Sequence, residues 1–170
     1  MMKCWIALFT ILALTVCGLG AAAEPANEFE LAAQAGRAAL LETWRETYAD
    51  DMYEGHSGYL EIKNTRVLRI SDNPVSNALE STDEIAKEYF GDVAYVVEFV
   101  IYTDYMLTEP YYGWDGINDC VMIHRNGTAT VGRNPFWTYR SRTYCTDFTG
   151  IIDEIEDLGT LCNEVFFLRQ

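Results

Sequence analysis

Basic side chains are scarce: Lys and Arg number 12 against 26 Asp and Glu, for a formal net charge of −14 at pH 7. Such a surface repels phosphate backbones and anionic membranes, which argues against nucleic-acid binding through a basic face. It suits solubility and cationic partners. Histidine occurs twice, at His56 and His124, so any zinc site would need mixed ligands. Of the cysteines, Cys4 and Cys17 lie in an uncharged N-terminal run, which leaves Cys120, Cys145 and Cys162. An odd number permits at most one intramolecular disulfide, so the chain is no disulfide framework. The pairing stays open, and buried thiols fit equally, because cysteine packs like a small hydrophobe. The pair Gly18-Leu19-Gly20 belongs to the N-terminal run, and no glycine-rich phosphate loop is present. There is no internal repeat and no Pro/Gly/Ser linker, so residues 24–170 read as a single domain.

What the sequence does have begins at its N-terminus. Lys3 supplies a short positive start, and Cys4 to Ala23 then carries no charge. Trp5, Ile6, Leu8, Phe9, Ile11, Leu12, Leu14 and Val16 form its apolar part, and Ala21-x-Ala23 matches the small-x-small pattern of a signal-peptide cleavage site. The expectation is a signal peptide over 1–23, cut before Glu24. A retained anchor is the first alternative, since a bilayer core takes about 20 apolar residues. A lipoprotein acylated at Cys17 is the second, although Val16 is bulky for such a site. All three place the domain outside the cytoplasm, secreted or envelope-associated, with the N-terminal segment as its one route to a membrane. Cleavage would remove Lys3 and no acid, making the balance one unit more negative.

The spacing predicts a helix over 28–49. Asn27 with Glu30 forms a capping box, and Phe29, Ala33, Gly36, Leu40, Trp44 and Tyr48 make an apolar stripe. Residues 59–70 alternate as a strand with Leu60, Ile62, Leu68 and Ile70 on one face, ended by Asp72-Asn73-Pro74. A short helix over 82–90 follows, started by Ser81 and Glu84 and stopped by a left-handed Gly91. Val93 to Tyr105 is a strand apolar on both faces: Val93, Tyr95, Val97, Phe99 and Ile101 on one, Ala94, Val96, Val100 and Tyr102 on the other. Asn126-Gly127 turns a hairpin over 118–133, with His124 opposite Ala129, Met122 opposite Val131 and Cys120 opposite Arg133. Residues 150–158 show helical spacing of Ile151, Ile152, Ile155 and Leu158, ended by Gly159, and Leu161 to Leu168 closes as a strand. The predicted order is α-β-α-β-β-β-α-β. The fold class is therefore α+β, an antiparallel sheet with a long N-terminal helix and short helices on one face.

The segments FGDVAYVVEFVIYTDY, NPF, DFTGIIDEIEDLG and NEVF resemble uncharacterised exported proteins of Gram-positive bacteria, over roughly residues 59–168. The resemblance implies export and a single domain, and no chemistry. The element order is also similar to that of cystatin-like and NTF2-like folds, and fold alone does not fix function.

Glu98 is the oddest residue by position, an acid between Val96 and Val100 on an apolar strand. A carboxylate there must be paired, hydrogen-bonded or raised in pKa, and perturbed acids concentrate at active sites. Glu98, with Asp104 or Asp119 as its partner, is the candidate for carboxylate catalysis, and an arginine pair is the structural alternative. Cys120 and His124 share a strand face but stand ~13 Å apart, too far to ligate one ion. A Cys145–His124 dyad is geometrically possible without any local signature. Asp115-Gly116-Ile117-Asn118-Asp119 lacks the length and terminal Glu of an EF-hand, and Asn126-Gly127-Thr128 is a formal glycosylation sequon. Nothing calls for a metal or a cofactor.

Aromatic density is the stronger signal. Tyr105, Tyr111, Tyr112 and Trp114 crowd one expected loop, and Phe136, Trp137, Tyr139 and Tyr144 crowd a second beside Arg133, Arg140 and Arg142. Exposed rings stack on sugars and peptide side chains, and arginine takes bidentate hydrogen bonds from carboxylates. The same rings also pack loops onto small sheets. The expected function is a non-enzymatic, extracytoplasmic binding or accessory domain whose contacts are Tyr111, Tyr112, Trp114, Trp137, Tyr139, Arg140 and Arg142. Cell-surface carbohydrate or peptide is the expected partner class. The alternatives are a carboxylate hydrolase of cell-surface polymers and an inhibitor or subunit of an envelope assembly.

Overall fold

The computed structural model describes residues 27–49, 58–76, 83–103, 120–132, 134–159 and 164–168. The expected signal segment, His56, Ser81, Cys162 and the aromatic loop of 104–119 lie outside them. The chain order is α1 (Glu28–Tyr48), β1 (Tyr59–Ile70), α2 (Asp83–Phe90), β2 (Val93–Thr103), β3 (Cys120–His124), β4 (Ala129–Gly132), α3 (Pro135–Thr143), β5 (Ile152–Gly159) and β6 (Glu164–Phe167). The class is α+β, with six antiparallel strands ordered β4-β3-β2-β1-β5 and β6 also paired to β1. No described helix is long and apolar enough to cross a membrane.

The first helix starts as its sequence dictates. Asn27 Oδ1 accepts from the Glu30 N–H at 2.9 Å, and Glu30 Oε2 accepts from the Asn27 N–H at 3.3 Å, the reciprocal bonds of a capping box. Its buried stripe of Phe29, Ala32, Ala33, Leu40 and Trp44 lies on the sheet. Gly36 brings the helix close to β2, since a Cβ there would stand 3.0 Å from a Val97 methyl.

The short helices α2 and α3 share one face of the sheet, and α1 covers the other. Leu60, Ile62, Val67, Val97, Phe99 and Ile101 pack under α1. Leu68, Ile70, Val93 and Val96 pack instead with Ala86 and Phe90 of α2 and Phe136 and Tyr139 of α3. Two irregularities make this possible. The β1–β2 register shifts between Lys63 and Arg66, so Leu60 and Ile62 face α1 while Leu68 and Ile70 face the opposite way. A second shift between Val93 and Tyr95 turns Val93 away from Tyr95 and Val97. An extra residue reverses every side chain beyond it, which simple alternation cannot foresee.

Three further expectations change. Residues 152–159 are a strand, not a helix. A helix there would set Asp153 beside Glu156 and Asp157, like charges at repulsive spacing; as a strand, β5 puts Glu154 opposite Arg69 and Asp157 opposite Arg66. Ile155 consequently lies on an edge strand, 51% exposed. The hairpin forms, but its register is one residue off the expected one, with Ile123 opposite Ala129, Met122 opposite Thr130 and Cys120 opposite Gly132. Gly127, at φ 84°, is the extra residue, its N–H closing the turn on the His124 carbonyl at 2.9 Å. Gly91 does end α2, but not through a left-handed φ, because it is absent from the positive-φ glycines. A Cβ there would sit 2.5 Å from the Lys87 carbonyl oxygen, so the position accepts no larger residue.

Candidate functional site

Asn134-Pro135 builds the element that carries the exposed aromatic residues. Asn134 Oδ1 accepts from the Phe136 N–H at 3.0 Å, and Pro135 occupies the first turn, where a missing N–H costs nothing. Residues 135–143 are thus helical where a loop was expected. The Asn-Pro start and the basic last turn of Arg140 and Arg142 were the available signals. Tyr144 closes the helix at φ 57°, donating its N–H to the Arg140 carbonyl at 2.7 Å.

Helical geometry sorts the aromatics into two sets. Phe136 and Tyr139 point inward; Phe136 stacks on Phe90 at 4.9 Å, and Tyr139 meets Phe90 edge-on at 5.6 Å. Tyr139 is fully buried, so the expected ligand contact is a packing residue. Its hydroxyl has no hydrogen-bond partner among the described residues. Trp137 and Tyr144 point outward, 56% and 89% exposed. Arg140 and Ser141 are exposed between them, so positions 137, 140 and 141 form one stripe at helical spacing, which the exposed Tyr144 extends just past the end of α3. Ser141 belongs to this stripe although composition alone did not single it out.

The two arginines differ. Arg142 donates to Glu88 Oε1 at 2.9 Å and lies 5.7 Å from the Tyr89 ring centre, tying α3 to α2. Arg140 has no carboxylate partner among the described residues, whereas Arg37, Arg66, Arg69 and Arg125 each do. Arg133 lies outside the described residues, as do Tyr111, Tyr112 and Trp114.

Glu98 is held from both sides. Arg66 Nε donates to Oε2 at 2.7 Å and Arg66 Nη2 pairs with the same oxygen, while Asn134 Nδ2 donates to Oε1 at 2.9 Å. Both carboxylate oxygens are therefore engaged, and Asn134 is at once the cap of α3 and a tether to the sheet. The proposed catalytic partners Asp104 and Asp119 lie outside the described residues. Cys120 and Cys145 are both thiols, directed at the carbonyls of Gly132 and Asp147 at 3.5 and 3.1 Å. His124 is bonded to Asp92 and Thr130 rather than to Cys145. No group of three metal-binding side chains occurs among the described residues. Compared with known proteins, the chain matches no family model, no curated protein and no solved structure.

Proposed function

We propose that this chain is an extracytoplasmic binding domain whose contact surface is the outer stripe of α3. One observation carries the reading: along α3 and its C-terminal cap Phe136 and Tyr139 are buried while Trp137 and Tyr144 are exposed on either side of Arg140, which has no carboxylate partner among the described residues. Core packing accounts for the first two rings, whereas the other two keep more than half of their surface in water. Exposed aromatic rings beside a cation form a surface suited to flat or apolar groups next to a carboxylate. Trp137 and Tyr144 are separated by roughly 10 Å along the helix, the length of about three residues of extended peptide. Cell-surface peptides with a single acid and carbohydrates with carboxyl groups fit this stripe; polyanions are disfavoured by the net charge of −14.

The test uses purified protein, isolated cell-wall glycan and a panel of short acidic peptides, with binding followed by calorimetry. Trp137→Ala, Tyr144→Ala and Arg140→Gln are expected to weaken binding at least tenfold and to shift stability by less than about 0.5 kcal/mol, as exposed sites do. Undiminished binding in all three variants would remove the stripe from consideration. Melting of the domain by Trp137→Ala would make that ring a packing residue.

A further inference from the structure

Away from α3, at the corner where the β3–β4 hairpin meets the end of α2, three side chains form a chain of hydrogen bonds. His124 Nδ1 stands 3.1 Å from Asp92 Oδ2, and His124 Nε2 stands 2.8 Å from Thr130 Oγ1. With the ring proton on Nδ1, the imidazole donates to the carboxylate and accepts from the hydroxyl. This is the connectivity by which a carboxylate orients a histidine that deprotonates an alcohol.

The backbone holds all three in place. The Arg125 N–H donates to the Asp92 carbonyl at 2.8 Å, and the Arg125 guanidinium is occupied by Asp72 and the carbonyls of Ser71 and Gly91. Arg125 therefore fixes the turn bearing Asp92 without competing for its carboxylate. His124 is opposite Val93 on β2 and Thr130 is opposite Met122 on β3. The His124 side chain is 16% exposed, which restricts its motion, whereas Thr130 is exposed. Donors lie beside the hydroxyl as well. The His124 N–H bonds the Thr128 carbonyl, so alternation along an antiparallel ladder turns the N–H groups of Ala129 and Val131 away from β3. Strand β4 ends the sheet, and no described strand pairs with its outer edge. An extended acyl chain can lie along that edge with its carbonyl oxygen near the Val131 N–H, the amide that follows Thr130.

We infer that Thr130 is an acyl-accepting nucleophile, activated by His124 and positioned through Asp92, with esters of extended acyl chains as the substrate class. As Oγ1 bonds to the ester carbonyl carbon, its proton moves to His124 Nε2. Collapse breaks the bond to the alkoxy oxygen, and the proton leaves with the alcohol. Water then repeats the sequence, releasing the acid and restoring Thr130. This reaction does not depend on ligand binding at α3.

The experiment treats purified protein with p-nitrophenyl acetate, follows nitrophenol release, and maps the acetyl group by peptide mass spectrometry. Wild type is expected to carry it on Thr130. Thr130→Ser should retain the adduct and Thr130→Val should lose it, with unchanged melting because valine suits a strand. His124→Gln should slow acylation by on the order of 100-fold, the scale of a general base. Asp92→Asn should slow acylation with unchanged melting, and Asp92→Glu should restore part of the rate, because a carboxylate holds the ring proton on Nδ1 and so leaves Nε2 free to accept the hydroxyl proton. Absence of an adduct, an adduct elsewhere, or a rate unaltered in folded His124→Gln protein would each overturn the assignment.

Discussion

Replacing Glu98 separates a structural carboxylate from a catalytic one. Its side chain is 20% exposed and receives Arg66 on one oxygen and Asn134 on the other. Glu98→Ala leaves the Asn134 amide without its tether, and a weakened helix cap costs about 1 kcal/mol. It also removes an ion pair whose arginine is 51% exposed, worth about 0.2–1 kcal/mol at such exposure. The total of roughly 1–2 kcal/mol corresponds to a fall in Tm of roughly 2–8 °C for a domain of this size. Glu98→Gln keeps a carbonyl oxygen for Asn134 and loses only the charge, so it should cost less than about 1 kcal/mol. Thermal unfolding followed by circular dichroism measures both variants. A cycle with Asn134→Ala should give a coupling of at least about 0.5 kcal/mol, as contacting residues do. Strict additivity would refute the tether. A Glu98→Gln protein that melts like wild type yet loses a hydrolytic activity would show the carboxylate working as an acid or base.

Two further outcomes follow from tyrosine hydroxyls, the buried one of Tyr139 and the partly exposed one of Tyr95. Tyr139→Phe removes a hydroxyl that lacks a partner among the described residues, so chemical denaturation should find stability equal to wild type or higher by up to about 1 kcal/mol; a loss above that would reveal a hidden partner. Tyr95 is pushed up to about 12, first by burial and then by its hydrogen bond to Glu28. A pKa raised on folding gives stability that is complete below the ordinary value of 10.0 and is lost as pH rises through about 12. Urea unfolding across that window should show wild type declining more steeply than Tyr95→Phe; parallel declines would contradict it.

The hydrogen bonds around Tyr95 also show how far sequence reaches. Asn27 and Glu30 cap α1 from within three residues of each other, and local pairs of that kind are legible without a fold. Alternation marked β1 and β2 for the same reason, and Asn126-Gly127 marked the hairpin. The stripe on α3 was half legible: Trp137 and Arg140 stood out by type, but a helix was needed to send Tyr139 into the core and Tyr144 into water. Glu98 was conspicuous as a lone acid on an apolar strand, yet its partners Arg66 and Asn134 are each more than thirty residues distant. Asp92 and Thr130 drew no notice because neither is unusual in its own neighbourhood.

Sequence by itself determined the charge balance, the α+β class and most element positions, since each follows from composition or from periodicities of two and 3.6 residues. Tertiary structure alone decided that residues 152–159 join a sheet, because a strand edge with Arg66 and Arg69 was there to receive Asp157 and Glu154. It also decided which apolar residues face which helix, because two register shifts reverse the alternation. Both depend on contacts between residues far apart in the chain, and local preference carries no information about those.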